Sequence, residues 1–303
     1  MAACRSKVSS VFRPNLFKDK VAIVTGGGTG IGKAIALELL YLGCKVMIAS
    51  RKMDRLQKAA KEMKTLIDSQ GRGSASLKHV ECNIRKEEQV QHLISHTISE
   101  FGQLDFLVNN GGGQFPSPAE GISLKGWNAV IETNLTGTFL CCREAYTQWM
   151  KDHGGVIVNI IADMWRGFPL MSHTGAARSA VDNLTKSLAI EWAEDGVRVN
   201  AVAPGSSIYS ETAADNYGDT DIFKRVLPNI PAKRLGLTEE VSGAVCFLLS
   251  PAASYISGET VKVDAGGSLY PSWTWNIDDH KKSVPYSWET DDNGSHTPPK
   301  SKL

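Results

Sequence analysis

Apolar residues recur along this chain with two periods that alternate from one end to the other. Short apolar runs rich in β-branched residues are typical of buried strands, and between them apolar residues repeat every three or four positions, as on one face of a helix. This pattern predicts strands over residues 21–24, 45–50, 77–82, 104–109, 156–161, 197–202 and 259–264, and helices over residues 33–40, 53–67, 87–101, 124–150, 175–194 and 238–249. We therefore expect an α/β fold: a single doubly wound, Rossmann-type, mostly parallel sheet with helices on both faces.

The first predicted strand runs directly into a glycine-rich turn, which is followed at once by the first helix. Glycine lets backbone N–H groups approach a pyrophosphate closely, and the N-terminus of the helix adds a partial positive charge. A dinucleotide is the expected ligand, because a strand, such a turn and a helix in this order form a dinucleotide-binding unit. The residues that we expect to hold it here are Thr25, Gly26, Gly28, Thr29, Gly30, Ile31 and Gly32.

The residues after the second strand indicate which dinucleotide is bound. Ser50, Arg51 and Lys52 stand where a doubly wound fold presents the adenosine ribose. None of them is acidic, as a residue that accepts hydrogen bonds from the 2′-hydroxyl of NAD would be, whereas Arg51 offers a guanidinium group suited to a 2′-phosphate. This favours NADPH as the cofactor; the alternative is two solvated basic residues at the start of a helix.

Three further loops complete the predicted cofactor site. Asn83 follows the third strand and could bind the adenine edge through its amide. The segment Asn110-Gly111-Gly112 follows the fourth strand and lets backbone lie against the cofactor. For both segments an ordinary loop is the alternative. Pro204 and Gly205 end the sixth strand and are the last residues of the predicted set.

Composition excludes several classes of function. The 303 residues are 42% hydrophobic and 21% charged, which is ordinary for a globular protein. With 33 Lys and Arg against 32 Asp and Glu, the net charge gives no case for a nucleic acid or an anionic membrane as the partner. Neither the six cysteines nor the seven histidines show a metal-ligand spacing, so we expect no metal. No apolar run is long enough to predict a membrane span.

The ends of the chain differ in composition from its centre. We divide the sequence into a short lead-in over residues 1–19, a cofactor-binding domain over 20–270 and a polar, aromatic-containing tail over 271–303. Residues 206–230 are an insertion that could act as a lid. The final tripeptide, Ser301-Lys302-Leu303, matches the address read by the peroxisomal import receptor. We therefore expect that receptor as a partner and the peroxisome as the location.

Taken together, short motifs spread over residues 20–267 resemble the short-chain dehydrogenase/reductase family. The motifs are Thr25-Gly26-x-x-x-Gly30-Ile31-Gly32, Asn109-Asn110-Gly111-Gly112, Asn134 within Glu132-Thr133-Asn134-Leu135-Thr136-Gly137, Ile157-Val158-Asn159 and Arg198-Val199-Asn200-Ala201-Val202-Ala203-Pro204-Gly205. Within the family, Asn110-Gly111-Gly112-Gly113-Gln114-Phe115 and Gly175-Ala176-Ala177-Arg178 are similar to the peroxisomal trans-2-enoyl-CoA reductases. The resemblance implies an enoyl-CoA thioester as substrate and a homo-oligomer.

This sequence departs from the catalytic residues that the family usually carries, which are Asn, Ser, Tyr and Lys. Asn134 is present, but Thr174 stands at the tyrosine position, Arg178 at the lysine position and Ile161 at the serine position. A threonine hydroxyl is a very weak acid and arginine does not deprotonate, so neither can donate a proton to a ketone oxygen. We therefore do not expect routine carbonyl reduction.

Reduction of a C=C bond conjugated to a thioester needs less from the protein, because the negative charge spreads into an enolate. The expected reaction is NADPH-dependent reduction of trans-2-enoyl-CoA, with hydride added to C3 and a proton to C2. Thr174 would donate a hydrogen bond to the enolate, and Arg178 would hold the nicotinamide ribose. Residues 164–171, a largely apolar run, could line an acyl slot, and ordinary packing is the alternative.

Asp182 is a second candidate proton donor, because it stands four residues before Lys186 and related enoyl reductases carry a tyrosine there. Helix geometry places it roughly 12 Å along the axis from Thr174 and off the same face, which favours a solvated carboxylate instead. Two other functions stay open. One is reduction of 2,4-dienoyl-CoA, and the other is a catalytically silent NADP-binding protein.

Overall fold

Seven parallel strands form one sheet in the order β3-β2-β1-β4-β5-β6-β7 in the computed structural model, which describes residues 7–71, 76–210, 214, 222–270 and 274–288. The strands are β1 (Val21–Thr25), β2 (Lys45–Ser50), β3 (Leu77–Glu81), β4 (Phe106–Asn109), β5 (Gly155–Ile160), β6 (Val197–Pro204) and β7 (Thr260–Val263). The strand order reverses between β1 and β4, so their carboxyl ends flank the crevice where doubly wound folds bind ligands. The predicted fold is confirmed.

Successive residues of each strand pack on opposite faces of the sheet, as the period of two requires. Ala22 and Val24 belong to one hydrophobic core with helices α1, α2 and α9, whereas Ile23 belongs to a second core with α3, α5 and α7. Helices therefore cover both faces. They are α1 (Gly30–Tyr41), α2 (Met53–Asp68), α3 (Glu87–Phe101), α4 (Leu124–Ile131), α5 (Gly137–Ala145), α6 (Lys151–His153), α7 (Ser172–Glu191), α8 (Ile222–Val226) and α9 (Thr238–Leu249).

The helix predicted over residues 124–150 is divided by two π-helical turns, Glu132–Thr136 and Tyr146–Met150. The first turn contains Asn134, whose amide donates to the carbonyl of Val130 one turn earlier. Such π-turns widen a helix locally and often lie at functional sites. Periodicity could not show this interruption, because apolar residues keep nearly the same spacing through it.

The helix predicted over residues 175–194 was misplaced by one turn, since α7 spans Ser172–Glu191. Its N-terminal boundary carries no side-chain cap, and Met171 stands at the N-cap position. Ser172 is the first residue inside the helix and not its cap, so no capping residue marked this boundary in the sequence. The earlier start places His173 and Thr174 in the first turn of the helix.

The described parts of the lead-in and tail pack against each other across α1 and α9. The hydroxyl of Ser9 donates to the carbonyl of the buried Trp288, and the N–H of Val11 donates to the Tyr286 hydroxyl. Ser10 and Tyr286 both donate to Glu38, and burial of this carboxyl raises its pKa. The terminal tripeptide and most of residues 211–221 in the predicted lid lie outside the described residues.

Candidate active site

Thr25 joins the glycine turn after β1 to the loop after β4. Its hydroxyl oxygen accepts hydrogen bonds from the N–H groups of Asn110 at 3.0 Å and Gly111 at 2.9 Å, and its O–H donates to the Val108 carbonyl at 3.4 Å. The Asn110 amide donates in return to the carbonyls of Thr25 at 3.1 Å and Gly26 at 3.3 Å. These bonds hold the two loops together, so several predicted cofactor residues form one unit.

Two glycines in the turn have the left-handed backbone that favours this residue: φ is +67° at Gly26 and +51° at Gly30. Gly32 is required for another reason. A Cβ atom there would lie 2.4 Å from the Asn110 amide nitrogen and 2.4 Å from the Gly26 carbonyl oxygen. The turn can therefore pack against the loop after β4 only with glycine at this position.

The start of α1 fits a pyrophosphate. Thr29 stands at the N-cap position without a side-chain hydrogen bond to the helix, and no acidic residue occupies the first turn. Gly28 and Ile31 are partly accessible, and a Cβ on Gly28 would find its nearest neighbour 3.7 Å away. Backbone N–H groups that no side chain caps, at a positive helix terminus, are an anion site. Ser210, from the segment after β6, lies over the turn, 3.2 Å from the Cβ position on Gly30.

Basic residues follow β2, which ends at Ser50. Arg51 and Lys52 are exposed, and the Lys52 N–H lies 3.5 Å from the Ser50 hydroxyl. Sequence reasoning missed Arg55, which is exposed on α2 one turn after Arg51. Its carbonyl lies 3.9 Å from the Cβ position on Gly28, so this turn of α2 is next to the glycine turn. The four-residue spacing of the two arginines was the signal available in the sequence.

The other predicted cofactor residues are bound into local structure. Asn83 accepts a hydrogen bond from the Arg85 N–H through its side-chain oxygen, while its own N–H donates to Gln89. Its oxygen therefore takes part in a turn, and binding of the adenine edge by this amide stays a prediction. Pro204 is buried at the end of β6, and the N–H of Gly205 donates to the Val263 carbonyl on β7. The segment that follows these two residues contains Ser210, which lies over the glycine turn.

Asn134, Gly112 and Arg178 meet above the carboxyl ends of β4 and β5. The Asn134 amide donates to the Gly113 carbonyl at 2.7 Å and accepts from the Gly113 N–H at 3.2 Å. A Cβ on Gly112 would lie 2.4 Å from an Arg178 guanidinium nitrogen and 2.8 Å from the Asn134 side-chain oxygen. The backbone at Gly112 therefore passes between the two side chains, and glycine is the residue that fits.

Arg178 brings an unpaired positive charge into the site. It is 9% exposed, and its guanidinium donates to the Ile160 carbonyl at the end of β5, at 2.7 Å. Burial lowers its pKa to about 10, so the side chain remains a cation at neutral pH. No carboxylate among the residues described forms an ion pair with it. A desolvated cation in this state attracts an anionic group or developing negative charge.

Thr174 and His173 are fully buried in the first turn of α7. Among the residues that the structure describes, the Thr174 hydroxyl has no hydrogen-bond partner, and neither has Nε2 of His173. The Thr174 N–H donates to Nδ1 of His173 at 2.9 Å. A buried polar atom without a partner costs about 1–3 kcal/mol, which a ligand with an acceptor atom would recover. Sequence reasoning missed His173, since its signal, a histidine next to the expected tyrosine position, depended on where the helix begins.

Asp182, the second candidate proton donor, lies away from this cluster. One carboxylate oxygen accepts from the Thr260 hydroxyl on β7 at 2.6 Å, and the other accepts from Lys186 at 2.5 Å. Both oxygens are therefore engaged next to the last strand of the sheet. The structure brings together Thr174, Arg178 and Asn134, but not Asp182.

Two loops cross over these side chains. The Ser117 N–H in the β4–α4 loop donates to the Leu170 carbonyl in the β5–α7 loop at 2.8 Å. Leu170 has φ of +63°, an uncommon conformation for a residue with a side chain, and strain of this kind often lies at functional sites. Met164 and Met171 are buried in the same loop, whereas Trp165 is partly exposed. Apolar side chains thus stand next to the polar cluster.

The arrangement of possible metal ligands and the polarity of the helices bear on other functions. No group of three or more His, Cys, Asp and Glu side chains in the described ranges is arranged to hold a metal ion. Within the same part of the chain, every helix is too short or too polar to cross a bilayer.

A family model described as enoyl-(acyl carrier protein) reductase matches residues 26–268. The chain belongs to the short-chain dehydrogenase/reductase family. A peroxisomal 2,4-dienoyl-CoA reductase, (3E)-enoyl-CoA-producing, from Danio rerio is 38% identical over 88% of this chain and 87% of its own length. A probable 2,4-dienoyl-CoA reductase, (2E)-enoyl-CoA-producing, from Bacillus subtilis is 35% identical over 84% and 98%. The solved structure of a citronellol catabolism dehydrogenase from Pseudomonas aeruginosa is 44% identical over 86% and 99%, with a TM-score of 0.74.

Members of the short-chain dehydrogenase/reductase family are oxidoreductases that use a nicotinamide dinucleotide. One expectation from the sequence requires correction. The segments around Gly111 and Arg178 indicate a likeness to trans-2-enoyl-CoA reductases, whereas the curated relatives found here are 2,4-dienoyl-CoA reductases. Short motifs around a shared site do not separate the two, because both reactions begin from a C=C bond conjugated to a thioester.

Proposed function

We propose that this chain is an NADPH-dependent reductase of 2,4-dienoyl-CoA thioesters. The relatives support the substrate class, because they bear that name at 35–38% identity over most of the chain. The observation that carries the chemistry is that two buried groups lie one turn apart on α7. Among the described residues the Thr174 hydroxyl has no hydrogen-bond partner, and the Arg178 cation has no counter-ion. This pair offers hydrogen-bond donation and positive charge without an acid suited to ketone reduction.

The cofactor, when bound, supplies hydride to the far end of the conjugated system. Negative charge then develops on the thioester oxygen, where the Thr174 hydroxyl can donate a hydrogen bond and Arg178 contributes a favourable field. Addition of hydride at C5 and a proton at C2 leaves the remaining double bond between C3 and C4. This product corresponds to the (3E)-enoyl-CoA in the name of the zebrafish relative. Protonation at C4 instead would give the (2E) product in the name of the bacterial one.

NADPH is the proposed cofactor because of the residues next to the glycine turn. Arg51 and Lys52 are exposed immediately before α2, and Arg55 is exposed in its first turn. None of residues 50–52 is acidic. Guanidinium groups bind a 2′-phosphate well, whereas NAD-binding sites of this fold use a carboxylate for the 2′-hydroxyl.

Reduction of trans-2-enoyl-CoA is the second candidate, favoured by the description of the matching family model. The chemistry at the protein is the same, since hydride at C3 also places negative charge on the thioester oxygen. We further propose a peroxisomal location, on the names of the relatives. Recognition of Ser301-Lys302-Leu303 by an import receptor and assembly into a homo-oligomer stay predictions.

The test follows NADPH absorbance with purified protein and, separately, 2,4-dienoyl-CoA, trans-2-enoyl-CoA, a 3-ketoacyl-CoA and no thioester. We expect oxidation with the dienoyl substrate, none with the ketone, and a double bond between C3 and C4 in the product by NMR. Turnover of the trans-2-enoyl thioester alone would select the second candidate. Tight NADPH binding with no turnover of any thioester would show a silent NADP-binding protein and overturn both candidates.

A further inference from the structure

His173 is enclosed by the two loops that cross above the carboxyl ends of β4 and β5. Its ring packs at 90° against Phe115 of the β4–α4 loop, with ring centroids 4.6 Å apart. The Ser117–Leu170 hydrogen bond ties this loop to the β5–α7 loop immediately before His173. The ring is therefore fully buried, yet its Nε2 atom reaches no partner in the described structure.

The protonation of the ring follows from its one hydrogen bond. Because the Thr174 N–H donates to Nδ1 at 2.9 Å, Nδ1 acts as an acceptor and carries no proton. The imidazole is then neutral, and its single proton is on Nε2. His173 consequently presents a buried N–H donor that lacks an acceptor, at the residue next to a hydroxyl in the same condition.

His173 lies in the first turn of α7. Neutral imidazoles held at helix N-termini polarise substrate carbonyl groups in known enzymes. The ring does not replace the missing tyrosine as an acid, because a neutral imidazole gives up its N–H proton only to a very strong base. It can only donate a hydrogen bond.

We propose that Nε2–H of His173 is a catalytic hydrogen-bond donor that, with the Thr174 hydroxyl, binds the thioester carbonyl oxygen of the substrate. This inference rests on the proposed function. The ligand class is an acyl thioester whose carbonyl is conjugated to a C=C bond. Two donors on one oxygen form an oxyanion site, and Arg178, one turn further along α7, adds a positive field without donating a proton. The site thus stabilises the enolate through its oxygen, and neither His173 nor Thr174 donates the proton that is added to C2.

The variants separate donation from packing. His173→Leu removes the donor and keeps an apolar side chain against Phe115, whereas His173→Gln places an amide N–H near the position of Nε2. His92→Leu, on the exposed face of α3, is the matched control. We expect His173→Leu to lower kcat for the dienoyl thioester about 100-fold. His173→Gln should retain most of kcat, and NADPH affinity should be unchanged in all three variants.

A second readout does not depend on turnover. Bound with NADP⁺, which cannot supply hydride, 2,4-dienoyl-CoA reports polarisation of its carbonyl as a shift of its ultraviolet absorption to longer wavelength. We expect this shift in the unaltered protein and in His173→Gln, and a smaller shift in His173→Leu. A structural role for the ring would not alter the spectrum of the bound substrate in this pattern.

The outcomes distinguish the two proposals. Turnover with a spectral shift that His173→Leu leaves unchanged would overturn the role of His173 and leave the proposed function standing. A His173-dependent shift without turnover of any thioester would support the donor and overturn the proposed function. If the unaltered protein shows neither turnover nor a shift, both proposals fail. Thermal unfolding of each variant identifies loss of kcat that arises from misfolding.

Discussion

The two halves of the site differ in how completely their polar groups are paired. In the half around the glycine turn, the Thr25 hydroxyl and the Asn110 amide make all of their contacts within the protein. In the half around α7, the Thr174 hydroxyl and Nε2 of His173 have no hydrogen-bond partner within the described ranges, and no carboxylate there pairs with Arg178. The first half pairs these side chains within the protein and offers a ligand the backbone N–H groups at the start of α1, whereas the second half offers unpaired side-chain donors and a positive charge.

This difference indicates that the half around α7 is the one that stabilises the transition state of the reaction. Unpaired buried groups destabilise the folded protein, and a substrate whose oxygen becomes negative during reaction recovers that cost most fully at that moment. A paired network cannot contribute in this way, because it would have to break existing bonds. The contrast therefore predicts opposite effects on activity and stability when each half is altered.

The largest effect is expected at Arg178. Its replacement tests whether the half around α7 stabilises negative charge on the substrate. Arg178→Met should lower kcat for the dienoyl thioester about 100- to 1000-fold, because a preorganised cation is lost. The free energy of unfolding at neutral pH should stay within about 1 kcal/mol or rise, because an unpaired buried charge is removed. Steady-state kinetics and chemical denaturation measure the two quantities. Arg178→Lys keeps the charge and is the control, and strong destabilisation by Arg178→Met would contradict the comparison.

A smaller effect, confined to binding, is expected in the glycine-turn half. Gly32→Ala places a Cβ atom 2.4 Å from the Asn110 amide and the Gly26 carbonyl, so the turn must move. Overpacking of this size costs about 1–3 kcal/mol, and where the turn avoids that cost by leaving its binding conformation, NADPH binding weakens by roughly 5- to 150-fold. Fluorescence titration of NADPH measures it. In the control, Gly243→Ala on α9, the new Cβ meets its nearest neighbour at 3.6 Å. Equal NADPH affinity in Gly32→Ala and Gly243→Ala would show that the glycine turn does not bind the cofactor.

The smallest effect concerns the choice between the two nucleotides. Arg51→Glu should lower the preference for NADPH over NADH about tenfold, because a carboxylate repels the 2′-phosphate and can accept a hydrogen bond from the 2′-hydroxyl. Lys64→Glu makes the same change of charge at an exposed position of α2, the helix that follows Arg51, and should leave the ratio unchanged. Dissociation constants for both nucleotides provide the measurement. An equal loss of affinity for NADPH and NADH would show that Arg51 does not read the phosphate.

The sequence by itself determined the fold and much of the nucleotide site. The periods of two and 3.6 follow from strand and helix geometry, so apolar spacing predicted all seven strands and the bounds of α3 and α9 without further information. The glycines predicted the turn after β1 equally well, because few other residues allow a tight turn directly after a buried strand. The same local logic located Thr174 and Arg178 relative to each other, since they are one helical turn apart.

Only the tertiary structure decided which polar groups remain unpaired. Asp182 and Thr174 both looked like candidate donors in the sequence, but Thr260 and Lys186 from outside the site occupy the carboxylate of Asp182. The place of His173 next to Thr174 was visible in the sequence, but its burial was not, because that depends on two loops that meet through Ser117 and Leu170. Whether a polar side chain is paired and buried depends on contacts between residues that are distant in the chain. A local sequence pattern therefore cannot predict it.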